Sequence, residues 1–132
     1  MTSIIPETFH DLFKTRAFGH LATIMPDGTP QVTPVWVDFD GTNILINTAR
    51  GRQKDRNMQR NRMVAVEVQD PENPYRYFTI RGPVIEISEG GAEEHIDQLA
   101  KKYTGEKYKW RSPGQVRVIY KIQPKYVFTS AR

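Results

Sequence analysis

The residues best suited to chemistry in this 132-residue sequence lie in one run, NTARGRQKDRNMQRN, from 47 to 61. Asn47, Thr48 and Ala49 close an apolar stretch and offer an amide, a hydroxyl and an uncrowded backbone. Gly51 follows, and Arg52 and Lys54 come within reach of the same point. Helix-forming residues from 55 to 61 add free N–H groups and the positive end of a helix dipole. Such groups together make a phosphate cradle, in which a charge-assisted contact contributes about 1.5–3 kcal/mol. The run matches no standard nucleotide fingerprint, and a solvated charged turn is its bland alternative. Between Arg50 and Arg62, six cations (Arg50, Arg52, Lys54, Arg56, Arg60, Arg62) stand against Asp55 alone, a net +5 in a chain whose total is +4. Everything else sums to −1, so the protein has one basic focus and not a basic surface. A single-strand nucleic-acid groove spreads its cations over several elements, so one bound anionic group is the better account, with no nucleic acid as partner.

No second chemistry stands out. His10, His20 and His95 fall on separate elements without metal-ligand spacing, and no metal site is expected. No serine–histidine–acid set can be traced, and Glu93 and Glu94 read as the acids that open a helix. The catalytic side chains are therefore unassigned; in an enzyme of this kind the reactive group belongs to a cofactor.

The elements that must position the basic run can be read in order. Pro6 with Phe9, Leu12 and Phe13 predicts a short opening helix. FGHLATIM (18–25), the PDGTP turn (26–30), QVTPVWVDF (31–39), an Asp40-Gly41 turn and NILINT (43–48) predict an antiparallel meander. MVAVEVQ (63–69) and YRYFTIRGPVIEI (75–87) are further strands, the second kinked at Gly82-Pro83. GAEEHIDQLAKKYTG (91–105) is the strongest helix, with acids leading, lysines trailing and Gly105 as cap. QVRVIYKIQP (115–124) and KYVFTS (125–130) close the chain. Six or seven strands joined by tight turns predict a mainly β (α+β) protein, a closed or nearly closed small barrel with short flanking helices.

A chain of this length is expected to form one domain, 1–132. Without cysteine it has neither a disulfide framework nor a thiolate metal site. No run approaches the ~20 apolar residues of a membrane span, and MTSIIPETFHDLFK lacks the basic start and apolar segment of a signal peptide. A cytoplasmic protein with no membrane partner is expected.

Four further residues each allow two readings. Pro34 cannot donate to a strand ladder, so either the strand is an edge or a flat ligand lies alongside it. Trp36 suits core packing or ligand contact. Tyr75 and Tyr77 share one strand face, as packing or as a stacking platform.

The segments LATIMPDGTPQVTPVWVDFDG, ILINTARGRQKDRNMQRN and NPYRYFTIRGPVIEI resemble the split-barrel flavoproteins of the pyridoxamine 5′-phosphate oxidase superfamily, and in particular its branch of coenzyme F420-dependent reductases. The likeness runs from about Phe18 to Val127. It implies a six-stranded antiparallel split β-barrel and a homodimer with two identical sites at the subunit interface. The cofactor ring would lie against Thr33, Pro34, Val35 and Trp36. Asn47, Thr48 and Ala49 would meet its ribityl and phosphate region, and Arg52 and Lys54, with Arg56 as a weaker match, its phosphate. Tyr75 and Tyr77 would be lent by the partner subunit. The implied cofactor is coenzyme F420, whose polyacid tail suits six cations; FMN is the alternative. The implied activity is hydride transfer between the reduced deazaflavin and a small electron-poor substrate. A flavin, haem or bilin carrier without turnover is the other possibility. Pyridoxamine phosphate oxidases usually continue further, so activity on that substrate is not expected.

Overall fold

The computed structural model describes residues 3–130. A 3-10 helix, Glu7–Lys14, opens the described chain, preceded by extended Pro6, and buries Phe9, Leu12 and Phe13 as the apolar spacing predicts. Eight strands follow: β1 (Gly19–Ile24), β2 (Pro30–Val35), β3 (Asp38–Phe39), β4 (Ile44–Ala49), β5 (Met63–Asp70), β6 (Asn73–Ser88), β7 (Arg117–Ile122) and β8 (Tyr126–Thr129). Two α-helices, α1 (Gln53–Arg60) and α2 (Ala92–Thr104), interrupt them. Among the described residues no helix is long and apolar enough to cross a membrane.

All pairings are antiparallel, in the spatial order β2-β1-β5-β6-β7-β4-β3, with β8 added to β6. This is the expected split barrel with two corrections. It has eight strands, not six or seven, and the sheet does not close, since β2 and β3 are not paired. Both follow from residues 31–39. They do not form one strand: the ladder of β2 ends at Val35, Trp36 and Val37 turn the chain, and Asp38-Phe39 joins β4 instead. Pro34 thus sits in an edge strand, paired with His20 on one side only.

The long strand β6 belongs to both halves. Residues 73–83 pair with β5, residues 78–81 also with β8, and residues 84–88 with β7. The change of partner falls at the predicted Gly82-Pro83 kink. A Cβ at Gly82 would lie 1.8 Å from the Gln123 carbonyl oxygen, so only glycine lets the β7–β8 connection cross here. Gln123 N–H donates to Pro83 O at 2.9 Å, and Lys125 N–H to Arg81 O at 3.0 Å, fastening the crossing.

Alternating side chains of these strands fill the interior: Leu21, Ile44, Ile46, Val66, Phe78, Ile80, Val118, Tyr120 and Ile122 are all at most 1% exposed. Burying side chains of this size contributes about 1.5–3 kcal/mol each. Outside the barrel, α2 packs on β7 and β4. Its Ile96, Leu99 and Tyr103 meet Trp36 and Tyr108 in a second apolar cluster. Gly91 and Gly105 bracket α2 with left-handed backbone, φ 79° and 86°.

Candidate functional site

The outer cluster borders a pocket of about 210 Å³, formed where β2, β4, α1, α2 and β7 converge. Six of the sequence-predicted residues line it: Pro34, Val35, Trp36, Asn47, Arg52 and Lys54. Phe18, Ile96, Tyr108, Trp110 and Arg117 complete the wall. The other six lie elsewhere. Thr33 pairs with Leu21, on the inward face of β2. Thr48 and Ala49 are buried outside the pocket lining, and Thr48 Oγ1 is without a hydrogen-bond partner among the described residues. Arg56 folds back on α1, donating to Gly51 O and to Gln53 Oε1. Tyr75 is exposed on β6, and Tyr77 packs its ring 6.1 Å from Phe128 of β8.

The six cations of the basic run therefore divide by task. Arg50 bridges Asp55 (3.0 Å) and Glu89 (2.8 Å). Arg60 caps strand β1 at Ile24 O (2.5 Å) and holds Asn57 Oδ1 (3.0 Å). Arg62 is exposed, away from the pocket lining. Of the six, only Arg52 and Lys54 face the pocket, too few to single out a polyacid tail over one phosphate. The backbone part of the cradle is also partly occupied. Gly51 N–H donates to Asp55 Oδ2 at 2.9 Å. Asp55, 2% exposed, further accepts from Tyr120 Oη (2.5 Å), Arg50 Nη1 (3.0 Å) and Gln59 Nε2 (3.1 Å). Burial alone would raise its pKa; these bonds outweigh burial and hold the carboxyl below its ordinary value. Asp55 thus pins the basic loop to the barrel, leaving Arg52 and Lys54 to point elsewhere.

The third cation of the pocket comes from β7. Arg117 is 4% exposed, donates from Nε to Asn47 Oδ1 at 2.9 Å, and lies with Cζ 5.1 Å over the Tyr108 ring. Its Nη1 is buried with no hydrogen-bond partner among the described residues. Sequence reasoning missed this residue, because an arginine in QVRVIY reads as the solvent face of a strand. The available signal was α2: its apolar stripe must roof one face of the sheet, and whatever lies beneath is buried.

Arg52, Lys54 and Arg117 form no ion pair among the described residues. Burial, then Arg52 and Arg117, push the Lys54 ammonium below its ordinary pKa. Burial does the same to Arg117, and Arg52 adds to it. Three cations that disfavour one another, with no acid among the pocket-lining residues, are arranged to receive an anion.

The opposite wall is aromatic. Trp36 stacks on Tyr103 (5.2 Å between centroids, 5° between planes), so it serves packing and lining at once. Tyr103 donates to Ala17 O (2.6 Å) and accepts from Val37 N–H (3.1 Å). Burial pushes its phenol up to about 12, so it stays a neutral prop. Phe18 and Trp110 remain about half exposed at the rim (47% and 55%).

The histidines divide too. His10 Nε2 bonds Ile5 O (2.7 Å), and His20 Nδ1 bonds Glu67 (2.9 Å). His95 is buried between Asp38 and Asn47 (2.9 and 3.1 Å), a link invisible in a sequence where the three are 57 and 48 positions apart. Among the described residues no group of histidine, aspartate or glutamate side chains can hold a metal ion.

Comparison with known proteins agrees with this architecture. A solved structure named F420 Reductase superposes with a TM-score of 0.84 at 36% identity, covering 94% of this chain and 98% of that one. A conserved hypothetical protein from Mycobacterium tuberculosis gives 0.73 at 25% identity, over 97% and 86% of the two chains. General Stress Protein 26 from Bacillus anthracis, at 17% identity and TM-score 0.70 over 94% and 92%, shares the fold. No curated protein sequence matches significantly. The model of one family, described as pyridoxamine 5′-phosphate oxidase, matches residues 5–131, nearly the whole sequence. With its split barrel, this chain belongs to the pyridoxamine 5′-phosphate oxidase family.

Proposed function

We propose that this protein is a flavin- or deazaflavin-type oxidoreductase whose pocket holds the cofactor, and that the cofactor is coenzyme F420. The single observation that carries the reading is the trio Arg52, Lys54 and Arg117, which form no ion pair among the described residues, facing an apolar wall of Pro34, Val35 and Trp36. A planar ring with an acidic tail fits both surfaces. The buried, partnerless Nη1 of Arg117 is the kind of donor an oxyanion satisfies. The similarity to a protein named F420 Reductase supports the deazaflavin. The count of cations favours FMN as the second reading, since three cations suffice for one phosphate.

When bound, the reduced cofactor supplies a hydride for an electron-poor alkene, quinone or similar conjugated acceptor. The chain's own part is placement. Arg52, Lys54 and Arg117 hold the acidic end, and Pro34 offers the ring a face without an N–H. Trp36, braced by Tyr103, excludes water. In this proposal the working unit is a homodimer with each site at the subunit interface. Tyr75 and Tyr77, remote from the pocket of their own chain, serve the site of the other copy.

Anaerobic titration of the purified protein with coenzyme F420 and with FMN, followed by absorbance and fluorescence, tests the proposal. Binding of coenzyme F420, then loss of the reduced form on adding a quinone, is the expected result. Binding without turnover would leave the carrier reading. Failure of both cofactors to bind would refute the proposal.

A further inference from the structure

The pocket cations sit at the end of a hydrogen-bonded chain that begins outside the pocket. Asp38 of β3 and His95 of α2 do not line it; Asn47 of β4 and Arg117 of β7 do. We infer that Asp38 and His95 are positioning residues for the anion grip: they fix the amide of Asn47, which in turn fixes the guanidinium of Arg117. The inference rests on the proposed role of this pocket as a cofactor-anion site.

Each link has only one workable polarity. Asp38 Oδ2 lies 2.9 Å from His95 Nε2. A carboxylate can only accept, so Nε2 carries the hydrogen. Nδ1 of the neutral ring is then a lone pair and accepts from Asn47 Nδ2 at 3.1 Å. The second hydrogen of that amide goes to Ala92 O at 2.9 Å. With both N–H bonds used on α2, the amide oxygen must face the other way, and it accepts from Arg117 Nε at 2.9 Å. That bond sets the plane of the guanidinium over Tyr108 and leaves Nη1 buried and free. Asp38 is itself held: Phe39 N–H donates to its Oδ1 at 2.8 Å.

The alternatives fail on the same chemistry. With the hydrogen on Nδ1, His95 would oppose N–H to N–H at Asn47. If the amide turned to answer that, it would lose Ala92 and present NH₂ to the Nε–H of Arg117. An error at Asp38 is therefore passed along three side chains to the pocket. A buried donor left without its acceptor is costly enough to enforce the order.

The test compares ligands that share a ring and differ in charge: FMN against riboflavin, and coenzyme F420 against its phosphate-free ribityl deazaflavin. The variants are Asp38→Ala, His95→Leu and His95→Gln, with Arg52→Ala as control. Asp38→Ala and His95→Leu should weaken the phosphate-bearing ligand about tenfold, less than the ceiling set by losing a charge-assisted bond outright. They should leave the phosphate-free ligand within about twofold. His95→Gln can still donate to Asp38 and accept from Asn47, and should recover most of the loss. Equal weakening of both ligands, or no rescue by glutamine, would overturn the inference. If His95→Leu does not fold, Asp38→Ala decides, since Asp38 is only half-buried. Full affinity in Arg52→Ala would instead refute the pocket assignment itself.

Discussion

Replacing Lys54 by methionine removes a charge while keeping an unbranched apolar stem. No hydrogen bond or ion pair of the Lys54 side chain is lost among the described residues, whereas its two cationic neighbours, Arg52 and Arg117, both oppose its charge. The charge therefore costs the ligand-free protein stability. Like-charge neighbours at a partly solvated surface cost about 0.2–0.5 kcal/mol each. Two of them make the variant more stable by about 0.5–1 kcal/mol, or about 2–5 °C in Tm for a chain of this length. In the proposed complex the same charge is a contact. Its loss removes about 1.5–3 kcal/mol, a fall in affinity of about 10- to 150-fold for FMN or coenzyme F420. Differential scanning calorimetry of the ligand-free protein and titration calorimetry with each cofactor measure the two effects separately. Stability and affinity should move in opposite directions. A lowered Tm with unchanged affinity would show that Lys54 is a structural residue and that the three cations are not kept for a ligand.

Asp55→Asn should lose about 2–4 kcal/mol in denaturant unfolding, since it weakens a buried network of four donors. The folded-state pKa of Asp55 lies below 3.8, so its contribution is present above that value and is lost as pH falls through the lowered one. The variant should accordingly show a shallower acid-unfolding curve; an unchanged curve would remove Asp55 from acid sensitivity. Gly82→Ala should cost more than about 4 kcal/mol or give no soluble protein, because the new methyl meets backbone and not a mobile side chain. A normal Tm in that variant would show that the crossing relaxes. In the proposed homodimer, Tyr77→Ala should weaken cofactor binding by titration and subunit association by analytical ultracentrifugation together, and a monomer with full cofactor affinity would refute the proposed shared site.

What the sequence revealed was mostly local. Asp27-Gly28 turned as its chemistry demands, with Gly28 at φ 86°. Gly82-Pro83 marked the kink of β6. Acids before lysines and a final glycine marked α2. The convergence of 33–36 with 47–54 was legible through the family resemblance: Pro34, Val35, Trp36, Asn47, Arg52 and Lys54 do meet in one pocket. The break after Val35 was not legible, since QVTPVWVDF alternates plausibly throughout and only the pairing of Asp38-Phe39 with β4 shows where it ends. Arg117 and His95 were hidden for a related reason. Arg117 looks solvent-facing on its strand and His95 borders the apolar stripe of its helix, and each is buried against another element from far along the chain. Charge counting failed on the same ground, because Arg50, Arg56 and Arg60 carry the same charge as Arg52 but spend it on the protein's own oxygens.

The crossing at Gly82 reaches beyond stability. The apolar wall of the pocket stands on β2, in one ladder, while Asn47 and Arg117 opposite it stand on β4 and β7, in the other; among the described strands only β6 is common to both. The spacing between the two sides is thus set in part at a pivot remote from either, as in a pair of callipers. Relatives could retune the length of molecule they accept by small changes at that joint, leaving every residue that touches the molecule in place.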